Sequence, residues 1–253
     1  MTPLSVVIIT FNEEKNLKRC LQSLQGLADE LIIVDSFSTD KTKEIALQFN
    51  CKFVERAWNG YSDQKNYANS LAQNEYILSL DSDEEIGETL FKSIQTIKAA
   101  GINGSYSLNR LTNYCGHWIR YGGWYPDSKV RVFPKKETIW EGGFVHETLK
   151  LPSGINKETL EGDLLHYSYY SYADHKKRAN NYSKLSAEHL YAEGKRVSPI
   201  KPYLSGIAKF LSMYFFNLGI LDGKMGLIIA WISASASINK YLYLLELQLK
   251  TKL

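Results

Sequence analysis

Cysteine is scarce in this chain, and the three present fall in no pattern. Cys20, Cys51 and Cys115 are odd in number and widely spaced, so they offer neither a disulfide framework nor a CxxC zinc pair. A reducing, cytoplasmic setting is the simplest reading. No secretory signal is expected either, since the first residues carry no basic n-region and pass straight into a strand pattern. Long hydrophobic runs are missing. The longest uncharged run, Met225 to Asn239, has 15 residues, short of the roughly 20 that a spanning helix needs. Charge of one sign is not in large excess, with a net +3, and no nucleic-acid partner is expected. Aromatic residues are plentiful, with 17 Tyr and five Trp; such rings suit sugar faces, membrane interfaces and cores equally.

What is present begins with Leu4 to Ile9, a β-branched run that reads as a central parallel strand. It ends at Thr10-Phe11-Asn12-Glu13, after which Leu17, Cys20, Leu21 and Leu24 recur at helical spacing. Thr10 or Asn12 is expected to cap that helix. Leu31 to Val34 is a second strand ending at Asp35, Ile45, Ala46 and Phe49 mark a helix, and Lys52 to Glu55 is a short third strand. This alternation predicts an α/β fold, a Rossmann-like and mostly parallel sheet flanked by helices, with ligands outside the carboxyl ends of the strands. Tyr76 to Glu85, YILSLDSDEE, is a fourth strand that emerges into Asp81-Ser82-Asp83. Carboxylates at i and i+2 of an extended segment point the same way and can grip a divalent cation. A solvated acidic turn would have the same composition. Lys65, early in the helix of GYSDQKNYANSL, sits at the wrong end for a cation by the helix dipole; a phosphate ligand and a surface lysine are both open.

In order and spacing, strand-TFNEE, strand-VDSFSTD, the QKN helix and strand-DSDEE resemble the inverting glycosyltransferases of family 2, which have a GT-A fold. Within that family they are similar to the branch of lipopolysaccharide core β-1,4-glucosyltransferases. The likeness covers residues 4 to about 90. It implies a nucleotide-sugar donor, UDP-glucose by preference, and Mg²⁺ or Mn²⁺. Thr10, Asn12 and Glu13 would flank the nucleoside, and Asp35 would meet the uracil or its ribose. Lys65 would approach the base or phosphate, Asp81 with Ser82 would lie on the nucleotide side, and Asp83 would be the main metal ligand. His166 would reach the diphosphate or the metal, unless it is a structural histidine. The family's catalytic acid follows a later strand, where this chain has His146-Glu147. Glu147 is therefore the expected base, with Asp127 and Glu141 as alternatives, and His146 would orient the sugar or acceptor.

Thr112 to Arg131 is aromatic, glycine-rich and irregular. A long loop of that kind suggests acceptor and donor-sugar contacts by His117, Trp118, Trp124, Tyr125 and Asp127; core packing of the Trp pair is the alternative. Ser171 is placed to cap a helix from Tyr172 to Glu193. Beyond it, residues 195–253 carry eight cations against Asp222 and Glu246, a net +6, leaving −3 for the rest. The expected organisation is a catalytic domain at 1–195 and a helical extension at 196–253, made of two amphipathic helices joined near Asp222-Gly223. Such a basic, apolar tail fits an anionic inner-membrane surface, and a peripheral place on the inner face of the plasma membrane. A hairpin packed on the catalytic domain or on a second subunit is the alternative. The acceptor would be a glycan or lipid-linked. A polyprenyl-phosphate sugar synthase and a catalytically silent nucleotide-sugar-binding scaffold are the other functions considered. A phosphohydrolase using Asp35 would need a second Asp where Phe37 stands.

Overall fold

Every residue of Leu4–Thr10 is buried, and its side chains alternate between two cores, Leu4, Val6 and Ile8 in one and Val7 and Ile9 in the other. This is strand β1; a strand covered on both faces shows no polar alternation. The chain continues as α1 (Leu17–Ser23), β2 (Glu30–Asp35), α2 (Thr42–Ala46), β3 (Lys52–Glu55), α3 (Tyr61–Ser70), β4 (Tyr76–Asp81), β5 (Glu84–Ile86), α4 (Glu88–Ala100), β6 (Ser105–Tyr114), β7 (His117–Ile119), β8 (Asp127–Pro134), β9 (Ile139–Glu141), β10 (Thr148–Lys150), β11 (Lys157–Tyr169), α5 (Tyr172–Ala192), α6 (Lys201–Leu211) and α7 (Gly223–Lys250). A π-helical segment, Ser212–Phe216, and a 3₁₀ turn, Gly219–Asp222, lie between α6 and α7. The computed structural model describes residues 1–142 and 147–250.

Two compact units are present, Met1–Arg110 with Asp127–Tyr167, and Leu111–Pro126 with Ser168–Leu253. The boundary expected at residue 195 falls inside the second. In the first, the strand order is β3-β2-β1-β4-β8-β6-β11-β5. β2 is parallel to β1 and β3, and β1 to β4, which is the strand–helix alternation read from the sequence. Beyond β4 the sheet turns antiparallel, at β4–β8, β8–β6 and β11–β5. The fold is α/β as expected, with a mixed sheet. Side chains of α1, α2 and α4 join the core on one face, and those of α3 and Trp140 the core on the other.

Three local expectations are corrected. Asn12 does not cap a helix: it adopts a left-handed φ of 53°, its side chain binds a neighbouring loop, and α1 starts later, at Leu17. The 112–131 stretch is not one loop, because β6 runs to Tyr114 and pairs with β7 as a hairpin, and β8 begins at Asp127. Asp81 and Asp83 do not share an extended segment, since β4 ends at Asp81 and Asp83 lies in the turn before β5.

The second unit is helical apart from the β6–β7 hairpin. Ser171 caps α5 as expected, its Oγ accepting from Asp174 N at 3.1 Å. Tyr114, Trp124, Tyr169 and His175 pack ring on ring, and Tyr114 Oη meets His175 Nδ1 at 2.9 Å. Burial pushes the His175 pKa down to about 4. α7 packs along α5 and α6. Ser183 Oγ donates to Ala236 O at 2.8 Å, Tyr243 Oη to Asn180 Oδ1 at 2.9 Å, and the Ser205 and Ser237 hydroxyls meet at 2.9 Å. Gly226 makes the turn into α7 possible, because a Cβ there would stand 1.8 Å from Gly219 O.

Candidate active site

The carboxyl ends of β2, β1 and β4 lie side by side. Thr10 is in register with Asp35, and Ile9 with Asp81, so these ends are about one strand spacing, ~4.8 Å, apart. The loops that leave them are tied together. Asn12 N donates to Ser38 Oγ (2.8 Å), Thr39 N to Asn12 Oδ1 (2.8 Å) and Glu13 N to Thr42 Oγ1 (2.8 Å). Asp35 is almost wholly buried and gives both oxygens to Ser38, one to its amide at 2.7 Å and one to its hydroxyl at 2.5 Å. Asn12 and Asp35 therefore shape the edge. Glu13 holds Asn16 Nδ2 at 2.8 Å. Thr10 Oγ1 and Trp140 Nε1 are buried polar atoms with no hydrogen-bond partner among the described residues.

Above this edge runs a chain of alternating charges, mostly buried. Lys65, 3% exposed, lies 3.2 Å from Asp81 Oδ1 and 3.3 Å from Glu147 Oε1, with its ammonium 4.6 Å from the Trp140 ring centre. Arg131 Nη2 reaches Asp81 Oδ2 at 2.7 Å and Glu84 Oε1 at 2.5 Å. Arg110 links Glu84 (3.7 Å) to Asp127 (2.5 Å), and Lys129 takes Asp127 Oδ1 at 3.0 Å. The carboxylates differ in consequence. Burial opposes the Asp81 charge, but Arg131 and Lys65 outweigh it and hold the carboxyl well below the usual range. Glu84 is fully buried, and burial, helped by the nearby Asp81 charge, pushes its pKa up against Arg131. Arg131 itself is held charged against its burial by the two carboxylates.

Asp83 stands apart from Asp81. Its Oδ2 is 3.3 Å from His166 Nε2, presented by β11. As a metal site this is a pair, and among the described residues no group of three His, Cys, Asp or Glu side chains could hold an ion. Two converging donors fit a divalent cation whose other positions come from a substrate's phosphates and water, which is how Mg²⁺-type sites are commonly completed. Ser82 is buried beside them. Asp127 is a poor base: burial raises its pKa, but Arg110 and Lys129 hold it lower. Glu141 is exposed and paired with Lys150 at 3.1 Å. His146 lies outside the described residues. Trp124 belongs to the aromatic core of the second unit, which is the packing alternative, whereas His117 and Trp118 are exposed on β7. A groove of about 760 Å³ lies at the opposite, amino-terminal edge of β2 and β3, lined by the end of α1 and the segments that lead into these strands; it gathers none of these residues.

The sequence reading missed Arg131, Glu84 and Arg110. One signal was available, since Arg131 interrupts an apolar strand, VRVF, and a charge inside a central strand needs a buried partner.

Fold and edge together are those of a glycosyltransferase. The model of the family described as glycosyl transferase family 2 matches residues 5–136, the span from β1 through β8; the chain belongs to that family. It is 30% identical to an uncharacterized glycosyltransferase of Rickettsia typhi, over 100% of this chain and 90% of that protein. It is 29% identical to the lipopolysaccharide core biosynthesis glycosyltransferase LpsC of Rhizobium meliloti, over 92% and 91%. Among solved structures it is similar to residues 1–349 of S. aureus TarS in complex with UDP, with 16% identity over 98% and 92% of the two chains and a TM-score of 0.49.

Proposed function

We propose that this chain is a metal-dependent inverting transferase that moves a hexose, glucose by preference, from a uridine diphosphate sugar to a hydroxyl of a cell-envelope glycan or glycolipid of the lipopolysaccharide-core kind. The name of LpsC supports that acceptor class. One observation carries the assignment of roles: Lys65 draws Glu147, 82 residues away in sequence, to the carboxyl edge beside Asp81. Thr10, Asn12, Glu13, Asp35 and Ser82 form the nucleotide side. Asp83 and His166 would hold Mg²⁺ or Mn²⁺, and imidazole in the pair favours Mn²⁺. A cation held there would supply positive charge to the departing diphosphate. Glu147 takes the proton of the acceptor hydroxyl as that oxygen bonds to the anomeric carbon and the sugar–diphosphate bond breaks on the opposite face. Such an acceptor is met at the inner face of the plasma membrane, where the chain sits peripherally through its C-terminal part.

The test is transfer and donor hydrolysis by Asp83→Ala with Mn²⁺ present. The expected result is a loss of about a hundredfold or more in kcat, with calorimetric UDP binding no longer strengthened by Mn²⁺; unimpaired turnover overturns the mechanism. A second reading draws on the Lys65–Glu147 pair itself. A carboxylate neutralised by lysine suits an acceptor that needs no base, as the phosphate of a polyprenyl phosphate does.

A further inference from the structure

The second unit carries an apolar surface that none of its own described residues covers. From Tyr203 to Trp231, eleven large apolar side chains stand more than 40% exposed, led by Phe216 at 82% and Trp231 at 66%. Leu204, Ile207, Leu211 and Phe215 recur at helical spacing along the outer side of α6 and its π-helical continuation. Phe216, Leu218, Ile220 and Leu221 crowd the turn between α6 and α7. Soluble proteins seldom leave so large a contiguous patch without a partner.

The charges around this surface say which partner. Lys209 and Lys224 are exposed within the same stretch, and Lys201 just before it. Its one acid, Asp222, is turned inward and accepts from the amides of Arg120 (3.2 Å) and Tyr121 (2.9 Å). Those bonds set the β6–β7 hairpin beside the turn, with Trp118 and Tyr121 exposed. An apolar tip rimmed by lysines and by Trp and Tyr is the composition of a segment seated among anionic headgroups.

Length and apolar composition would let Gly219–Lys250 cross a bilayer. The packing excludes that. α7 lies along α5 through the Ser183–Ala236 and Asn180–Tyr243 hydrogen bonds; α5 exposes Lys176, Lys177 and Arg178, and its Lys184 stands 5.6 Å over the Tyr243 ring of α7. A spanning α7 would carry these charges into hydrocarbon or lose its partner.

We infer that the α6–α7 turn and the outer side of α6 form a docking surface for an anionic phospholipid bilayer, entered by Phe216, Leu218 and Leu221 without α7 crossing it. This rests on the peripheral membrane reading and names the surface that performs it. The test is co-sedimentation of the full chain with vesicles of phosphatidylcholine alone and with roughly one third phosphatidylglycerol. The chain is expected to bind the anionic vesicles, less tightly as salt is added. Phe216→Asp with Leu221→Asp should weaken that binding about tenfold or more, a loss of ~1.4 kcal/mol or more. Lys209→Glu with Lys224→Glu, on sites exposed enough to leave folding intact, should weaken binding to anionic vesicles alone. Wild-type chain that ignores both vesicles overturns the peripheral reading and this surface with it. Wild-type binding that both variants retain overturns the surface only. Resistance to alkaline extraction would show that α7 spans, and a dimer dissociated by Phe216→Asp would show a second copy on this face; either result overturns the inference.

Discussion

Lys65 is buried against the helix dipole and kept there by its neighbours. Removing an ammonium from water costs several kcal/mol, offset here by Asp81, Glu147 and the face of Trp140. Arg131 has the same standing with Asp81 and Glu84. Arg131→Met would leave the fully buried Glu84 carboxylate unpaired beside the half-buried Asp81, and it should cost about 3–5 kcal/mol in urea unfolding. Arg131→Lys should recover part of that, because it restores the charge without the fork that reaches both acids. Glu147 behaves differently, since its side chain is 26% exposed. Glu147→Gln should leave the melting temperature within a few degrees while kcat falls by about 10²–10⁴ if it is the base. Retained kcat with a phosphate acceptor would select the polyprenyl-phosphate reading.

At the scale of elements, the turn from α6 into α7 depends on close backbone approach. Gly226→Ala drives a Cβ to within 1.8 Å of the Gly219 carbonyl oxygen, which cannot rotate away. Gly206→Ala meets the Ile238 side chain, 2.5 Å from its Cγ1 and 2.7 Å from its Cδ1, with the Ala234 carbonyl oxygen farther off at 3.4 Å. The first substitution should cost about 3 kcal/mol or prevent folding, the second about 1 kcal/mol, since overpacking is cheap where a side chain can move; equal losses in chemical denaturation would contradict this. Neither glycine stands out in the sequence, because close approach is a property of the partner. The same limit governed the site. Strand ends at Thr10, Asp35 and Asp81 were legible because each apolar run stops at a polar cluster. Parallel pairing followed from the helices between them. The antiparallel half was not legible, since β8, β6, β11 and β5 are far apart in the chain and follow no strand–helix alternation. The pairing of Arg131 with Asp81 spans 50 residues and leaves no local spacing to read.

On the scale of the whole molecule, acid should act first through the second unit. His175 is buried between Tyr114, Trp124 and Tyr169, where burial is the main depressant of its pKa; Asp174 pulls it up and Arg178 down. The folded value is about 4 and the unfolded one about 6.5. As pH falls through 6.5, the unfolded chain takes a proton that the folded chain refuses, so stability drops, by up to ~3 kcal/mol once pH reaches 4. Asp29, Asp81 and Asp127 have lowered pKa values, so their contributions are lost only below the ordinary aspartate pKa, about 3.9. Glu84, pushed up by burial, runs with the opposite sign. Comparison with His175→Phe isolates the histidine from all of them. The variant should start less stable, having lost the Tyr114 hydrogen bond, yet its unfolding free energy should change less between pH 7 and pH 5. If wild type and variant lose stability in parallel over that interval, His175 is not the group that titrates.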